Sequence, residues 1–259
     1  MFVSFTHQTQ TWVPGADAVA IIPLAAVESH GPHLPLGTDG LIIAGILDRA
    51  AQFDTGRVSF VRLPPLWLGA SPEHADHPGT LSLEPEHLIE QIVAVGGGLA
   101  RCGISRVMLF NGHGGNVAAA SIAALKLRTR FGLLAATAHW LDFGLPEGMV
   151  PPSPPAGDVH GGWVETAALL HLTPDLVVKS AVAARPAVPP APSLFPSGPV
   201  AWGWKLEDLS NDGHPTGGWI GRADLATAEL GRALIDHAAQ KLVAALRDIS
   251  AATWPRQVR

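Results

Sequence analysis

Apolar runs and amphipathic stretches alternate along the first half of the chain. Residues 18–24 form an unbroken apolar run of strand length, and residues 40–51 follow with helical spacing of their apolar positions. Residues 58–63 read as a second strand, 83–101 as a helix, 105–110 as a strand, 117–130 as a helix and 133–139 as a further strand. Strands that alternate with helices predict right-handed βαβ units. The expected fold is therefore α/β: a three-layer αβα arrangement with a largely parallel central sheet covered on both faces. The second half changes character. Residues 145–159 and 185–200 are rich in proline and exclude ordinary helices. Between them residues 162–172 are predicted helical, and a long final helix is expected from about residue 223 to 249. No internal repeat or sharp boundary divides the chain, so residues 1–259 are read as a single domain.

Composition narrows the class of protein. The hydrophobic share is 47%, the charged share 15% and the formal net charge -5. No basic run interleaved with aromatic residues is present, which argues against nucleic acid as a partner. Prolines and polar residues interrupt every apolar run before membrane-spanning length, so no membrane partner is expected either. The first residues lack a basic segment followed by an apolar one, so no secretory signal is read there. The single cysteine, Cys102, excludes an internal disulfide and a thiolate metal cage. A cytoplasmic globular protein is the expectation from this balance.

The candidate chemistry lies in loops. The stretch VESHGPHLPLGTD, residues 27–39, holds Glu28, His30 and Asp39 on a backbone that glycine and proline make irregular and stiff. Glu28 and His30 are two apart, so in extended chain both point the same way. Asp39 stands where the next helix begins, and helix capping accounts for it as well as metal ligation does. His74 and His77 follow the second predicted strand, beside Glu73 and Asp76. His113 follows the third, within NGHGGN, residues 111–116. In an open parallel sheet ligands gather beyond the carboxyl ends of the strands, where all three loops fall. Carboxylate and imidazole donors suit zinc, manganese or ferrous iron. A glycine-rich turn that opens a helix can also cradle phosphate, but residues 111–116 match neither the dinucleotide fingerprint nor the P-loop. The last motif is HGGWVET, residues 160–166, with His160 followed by Glu165 on the first turns of a predicted helix. Trp163 lies between these two and is a candidate pocket residue, as are His74, Gly112 and Gly114.

Five stretches together, residues 28–39, 71–82, 111–116, 160–166 and 224–231, resemble the creatininase family of amidohydrolases, and they span most of the chain. The resemblance implies a creatininase-like fold and a hydrolase with two divalent metal ions per chain, cleaving a non-peptide C–N bond in a cyclic amide or formamide-type small molecule. Carried over position by position, it makes Glu28, His30, Asp39 and His113 metal ligands, with Asp39 bridging the two ions. Creatininase itself has a glutamate two residues after the histidine matching His113. That position here is Gly115, and Glu165 is expected to supply the missing carboxylate. His160 matches a residue proposed as general acid or base. Trp163 replaces a frequent glutamate and His77 a frequent aromatic residue. The Gly115 and Trp163 departures keep a second reading open: a metal-bearing binding or maturation protein with little catalysis of its own. Family members are typically homo-oligomers, hexamers among them, and the same is expected here.

Overall fold

The computed structural model describes residues 1–53, 58–153, 157–196, 200, 202–210 and 217–254. Residues 154–156 and 197–199 of the two proline-rich segments lie outside that description. Five parallel strands build the central sheet: β1 (Phe2–Ser4), β2 (Val19–Leu24), β3 (Phe60–Arg62), β4 (Arg106–Asn111) and β5 (Leu134–His139), in the order β1-β3-β2-β4-β5. The predicted strands are all present. β1 is the addition: three half-buried residues at the sheet edge, too short to show a period, paired in register with β3.

Side-chain alternation along β2 explains the layers. Val19 and Ile21 face one core, with α1 (Thr38–Ala50) and α5 (Ala228–Ala251) packed over them. Ala20, Ile22 and Leu24 face the other, beneath α2 (Pro85–Arg101) and α3 (Asn116–Phe131). The result is the three-layer αβα architecture. From β2 the chain winds to β3 on one side and then crosses to β4 on the other. The crevice beyond β2 and β4 is therefore the switch point of the sheet. Register brings Leu24, Asn111 and His139 level there.

The last layer carries a helix that the site needs. α4 (Trp163–Leu172) runs against α5, and a two-stranded antiparallel pair, β6 (Ala184–Arg185) and β7 (Gly221–Arg222), lies nearby. The final helix begins at Ala228 rather than about residue 223. Thr227 caps it, its hydroxyl accepting from Leu230 N–H at 3.2 Å. Asp224, which could have started it earlier, instead pairs with Arg222 at 2.7 Å. Gly231 lets α4 and α5 touch: a Cβ there would collide with the carbonyl of Ala167. Gly231→Ala should therefore cost about 2–3 kcal/mol by overpacking and lower Tm by roughly 5–10 °C. A calorimetric scan showing an unchanged Tm would contradict this packing.

Candidate metal centre

Beyond β2 the chain enters the loop that carries the first two candidate ligands. Glu28 N–H closes the loop on Leu36 O at 2.9 Å, and Gly31 makes its turn at φ +75°, with the Trp219 indole where a side chain would go. Glu28 and His30 are fully buried. Asp39 sits in the first turn of α1, whose cap position is Gly37, and both carboxylate oxygens face histidines. The capping role is thus not taken up.

Three histidines converge with a common wiring. His30 Nδ1 lies 3.1 Å from Glu28 O, His113 Nε2 lies 3.0 Å from Ala70 O, and His160 Nε2 lies 2.7 Å from Ser29 O. In each neutral ring the N–H donates to that backbone carbonyl, and the lone pair of the other nitrogen points inward. A ligating histidine characteristically has this backing. The inward atoms meet carboxylates. His113 Nδ1 is 3.0 Å from Glu28 Oε1 and 3.6 Å from Asp39 Oδ2. His30 Nε2 is 3.4 Å from Asp39 Oδ1 and 3.8 Å from Glu165 Oε1. Asp39 therefore stands between two sets, one with Glu28 and His113 and one with His30 and Glu165. The donor atoms of each set lie within 4.8 Å of one another, as do those of Glu28, His30 and His160.

The electrostatics suit a cation here. Burial pushes the Glu28 carboxyl up, but the imidazoles of His113, His74 and His160 outweigh it and hold it well below the usual carboxylate range. Burial likewise raises Glu165, yet His30, His160 and the Gly161 N–H, which donates to Oε2 at 2.6 Å, bring it down to about 2. Asp39 is pushed up to about 6 by burial and by the Glu28 charge. Burial works against protonated His113, but Glu28, Asp39 and Glu73 raise it to about 10. His30 is raised well above its ordinary value by Asp39 and Glu165 against the same opposition. Without metal, protons on His113 and His30 balance the carboxylates. Glu28 Oε1 and Oε2, Asp39 Oδ2 and His30 Nε2 are buried without a hydrogen-bond partner of good geometry, which divalent cations would relieve. The residues present fit a metal pair.

A pH dependence follows. His113, raised to about 10, contributes stability that is complete below its ordinary value near 6.5 and is lost as pH rises through about 10. Chelator-treated protein should lose Tm between pH 6 and 10. Metal-loaded protein should not, because metal holds the ligands deprotonated throughout. Parallel Tm profiles for the two forms would contradict the assignment of His113.

The remaining candidates are placed as follows. His160 lies between His30 and His74, with ring centroids at 4.2 and 4.0 Å. Burial and the His30 charge lower it to about 4, so it is neutral near pH 7. His74 is buried against His160, its Nε2 3.8 Å from Glu28 Oε1. Trp163 is fully buried and packs with Ala167 and Leu234 in the cavity wall. A cavity of about 870 Å³ opens onto the centre, and Gly112, Gly114, His74 and Trp163 are among its lining residues. His77 reaches Glu207 at 2.9 Å, and Lys205 reaches Asp76 at 2.5 Å, so residues 205–207 dock on the loop that carries His74.

Gly115 now has a physical reason. A Cβ there would lie 2.5 Å from His113 Nε2 and 2.6 Å from Glu73 Oε1, and would collide with Ala70 O. The loop at Ala70–Glu73 fills the space a longer side chain would use. The phosphate reading of residues 111–116 fares poorly: the N–H groups of Gly112, His113, Asn116 and Val117 are all engaged within the protein.

Two contributors are not evident in the sequence. His33, buried in the first loop, places Nε2 2.9 Å from Gly161 O and so ties that loop to the segment bearing His160. Asp158 accepts from Trp163 N–H at 2.7 Å and Val164 N–H at 3.1 Å, holding the start of α4 and with it Glu165. His33 acts across 128 residues, whereas Asp158 acts within its own segment, and only the glycines around position 160 hint at the close approach.

Fold and site together define an α/β protein with adjoining carboxylate–imidazole clusters, candidate metal-ligand sets, at the strand ends. The family model described as creatinine amidohydrolase matches residues 6–246. A mycofactocin precursor peptide peptidase of Mycolicibacterium smegmatis is 34% identical over 232 residues, covering 88% of this chain and 85% of that protein. A creatinine amidohydrolase of Pseudomonas putida is 28% identical over 255 residues, 91% of each chain. Among solved structures, a putative creatinine amidohydrolase of Bacteroides fragilis superposes with TM-score 0.81 at 23% identity, covering 97% of this chain and 98% of that one. A mutant creatininase of Zn-Zn type superposes with TM-score 0.68 at 25% identity, over 91% and 92% of the two chains. The chain belongs to the creatininase family of amidohydrolases.

Proposed function

We propose that this protein hydrolyses an amide C–N bond with two divalent cations held by Glu28, His30, Asp39, His113 and Glu165. The observation that carries the reading is Asp39, whose Oδ1 and Oδ2 face His30 and His113 of two adjoining ligand sets. Such a bridging carboxylate suits a metal pair, and zinc, manganese or iron all match the donors. When bound, the cations would supply a water acidic enough to act as nucleophile near neutral pH and a Lewis acid for the amide carbonyl.

The chain itself moves the proton. His160 is neutral at pH 7, and its Nε2–H bond to Ser29 O fixes the ring with Nδ1 as the basic atom. Nδ1 accepts the proton of the attacking water and returns it to the departing nitrogen. Glu165 is anchored by Gly161 N–H, and Asp158 anchors the helix start, so the second ligand set keeps its geometry as charge moves.

The substrate is the finer question. A cyclic amide or formamide is the reading that the family model's description supports. The cavity of about 870 Å³ favours something larger, since pockets of this volume take drug-sized ligands. The 34%-identical relative named as a peptide peptidase points the same way. An amide in a substrate of short-peptide size is therefore the preferred reading, and a non-peptide cyclic amide the second. Manganese- or zinc-loaded protein should be assayed against blocked tri- and tetrapeptides, creatinine and simple formamides. Chelator-sensitive turnover of a peptide supports the first reading, and turnover of creatinine or a formamide alone supports the second. No turnover of any, at full metal content, would favour the maturation or binding protein of the same fold.

Assembly as a homo-oligomer belongs to the same reading, with exposed Ile122 and Leu125 on α3 as apolar surface available to a second copy. A cytoplasmic setting also stays with it. No helix among the described residues is long and apolar enough to cross a membrane.

A further inference from the structure

Among the described residues, the cavity wall carries the carboxylates of Asp39, Glu73, Asp142, Asp158 and Glu165 and no lysine or arginine. The sequence makes this a property of whole segments. Residues 63–100, 107–125, 131–178 and 186–204, which build nearly all of the wall, contain neither cationic residue. Lys205, next to the wall residue Trp204, is held by Asp76 at 2.5 Å. Arg232, near the wall residue Leu234, is turned out, its side chain 66% exposed.

Three of the five carboxylates are already engaged. Asp39 and Glu165 belong to the ligand sets, and Asp158 binds the N–H groups that open α4. Glu73 and Asp142 are left. Glu73 stands inside the cavity with its carboxylate 3.4 Å from His113 Nε2, while Asp142 is exposed at the rim. Trp202 and Trp204, both half-buried, add indole surface to the same wall.

We infer that the substrate carries a positively charged nitrogen group beyond the amide that is cut, and that Asp142, Glu73, Trp202 and Trp204 select it. The inference rests on the amide-hydrolysis reading and specifies the chemistry of the rest of the substrate. A cation over an indole face is attracted by the ring quadrupole, and carboxylates in a sheltered cavity strengthen that attraction. A substrate carboxylate or phosphate placed there meets charges of its own sign. It also finds no guanidinium or ammonium to receive it, although that is how such groups are ordinarily recognised.

The test compares probes of one shape and three charges. Zinc-loaded protein of known metal content is titrated with (2-phenylethyl)trimethylammonium, 2-phenylethanol and 2-phenylethanesulfonate, followed by tryptophan fluorescence and calorimetry. Neither charged headgroup is a good metal ligand, so wall charge decides the order. The ammonium probe should bind roughly tenfold more tightly than the alcohol, and the sulfonate most weakly. Asp142→Asn and Glu73→Gln should each shrink the preference, and Asp142→Lys, at an exposed position, should favour the sulfonate. Equal binding of all three probes, or a native preference for the sulfonate, would overturn the inference. So would an ammonium preference that survives the Asp142→Asn, Glu73→Gln double variant. Probe selectivity with no amide turnover would sink the hydrolase reading and leave the charge selection standing. Turnover with no selectivity would do the reverse.

Discussion

Glu28→Gln leaves a folded protein that has lost metal and more than about 100-fold of its activity, the loss that even an outer partner of a metal ligand can cause. The expectation follows from what Glu28 touches. Its Oε1 lies 3.0 Å from His113 Nδ1, and 3.9, 3.8 and 3.7 Å from the inward nitrogens of His30, His74 and His160. No other carboxylate of the centre is approached by so many imidazoles. Glutamine keeps the shape and removes the charge, so a cation beside His113 loses its strongest neutralising partner. The fold is spared because the loop is closed by backbone: Glu28 N–H to Leu36 O does not depend on the side chain. Elemental analysis and Tm of the purified variant separate the outcomes. Unfolding with full metal content would assign Glu28 a structural role instead.

His160→Asn should lower kcat by about 10²- to 10⁴-fold, the usual contribution of a general acid–base group, while metal content stays full. Burial and the neighbouring His30 keep His160 neutral, and the Ser29 carbonyl fixes which nitrogen is basic. Its Nδ1 lies 3.7 Å from Glu28 Oε1, close enough that ligation is the rival role. Metal analysis decides between them. Retained ions with lost turnover mark a proton carrier, whereas loss of an ion makes His160 a ligand and leaves the proton to another group.

Much of this was legible in the sequence because the apolar runs of the first half have the length and spacing of strands and helices that pack on one another. β2, β4 and β5 and the helices α1 to α4 fall where the pattern places them. The loops at their carboxyl ends therefore hold Glu28, His30 and His113 close together. What failed depends on contacts that no local pattern records. β1 exists because it pairs with β3 across more than fifty residues, and its own three residues carry no period. α5 starts later than its spacing predicts because Asp224 is engaged by Arg222, leaving Thr227 to cap. Asp39 has the sequence position of a cap, and only the fold turns its oxygens to His30 and His113. His33 and Asp158 gave no signal, since one reaches a carbonyl 128 residues away and the other holds a helix start in a segment of glycines and prolines. In the sequence Gly115 is a carboxylate missing from the family pattern. In space it is the room that Glu73 and the Ala70 carbonyl occupy, and α4 brings the Glu165 carboxylate to 3.8 Å from His30 Nε2.

The central claim is that the two donor sets sharing Asp39 would hold two divalent ions, and elemental analysis of protein purified without added metal or chelator tests it most directly. The account predicts about two divalent ions per chain, as a two-metal hydrolase requires, falling on Glu28→Gln. A chain that binds no ion, even after incubation with zinc, manganese and iron, would contradict it.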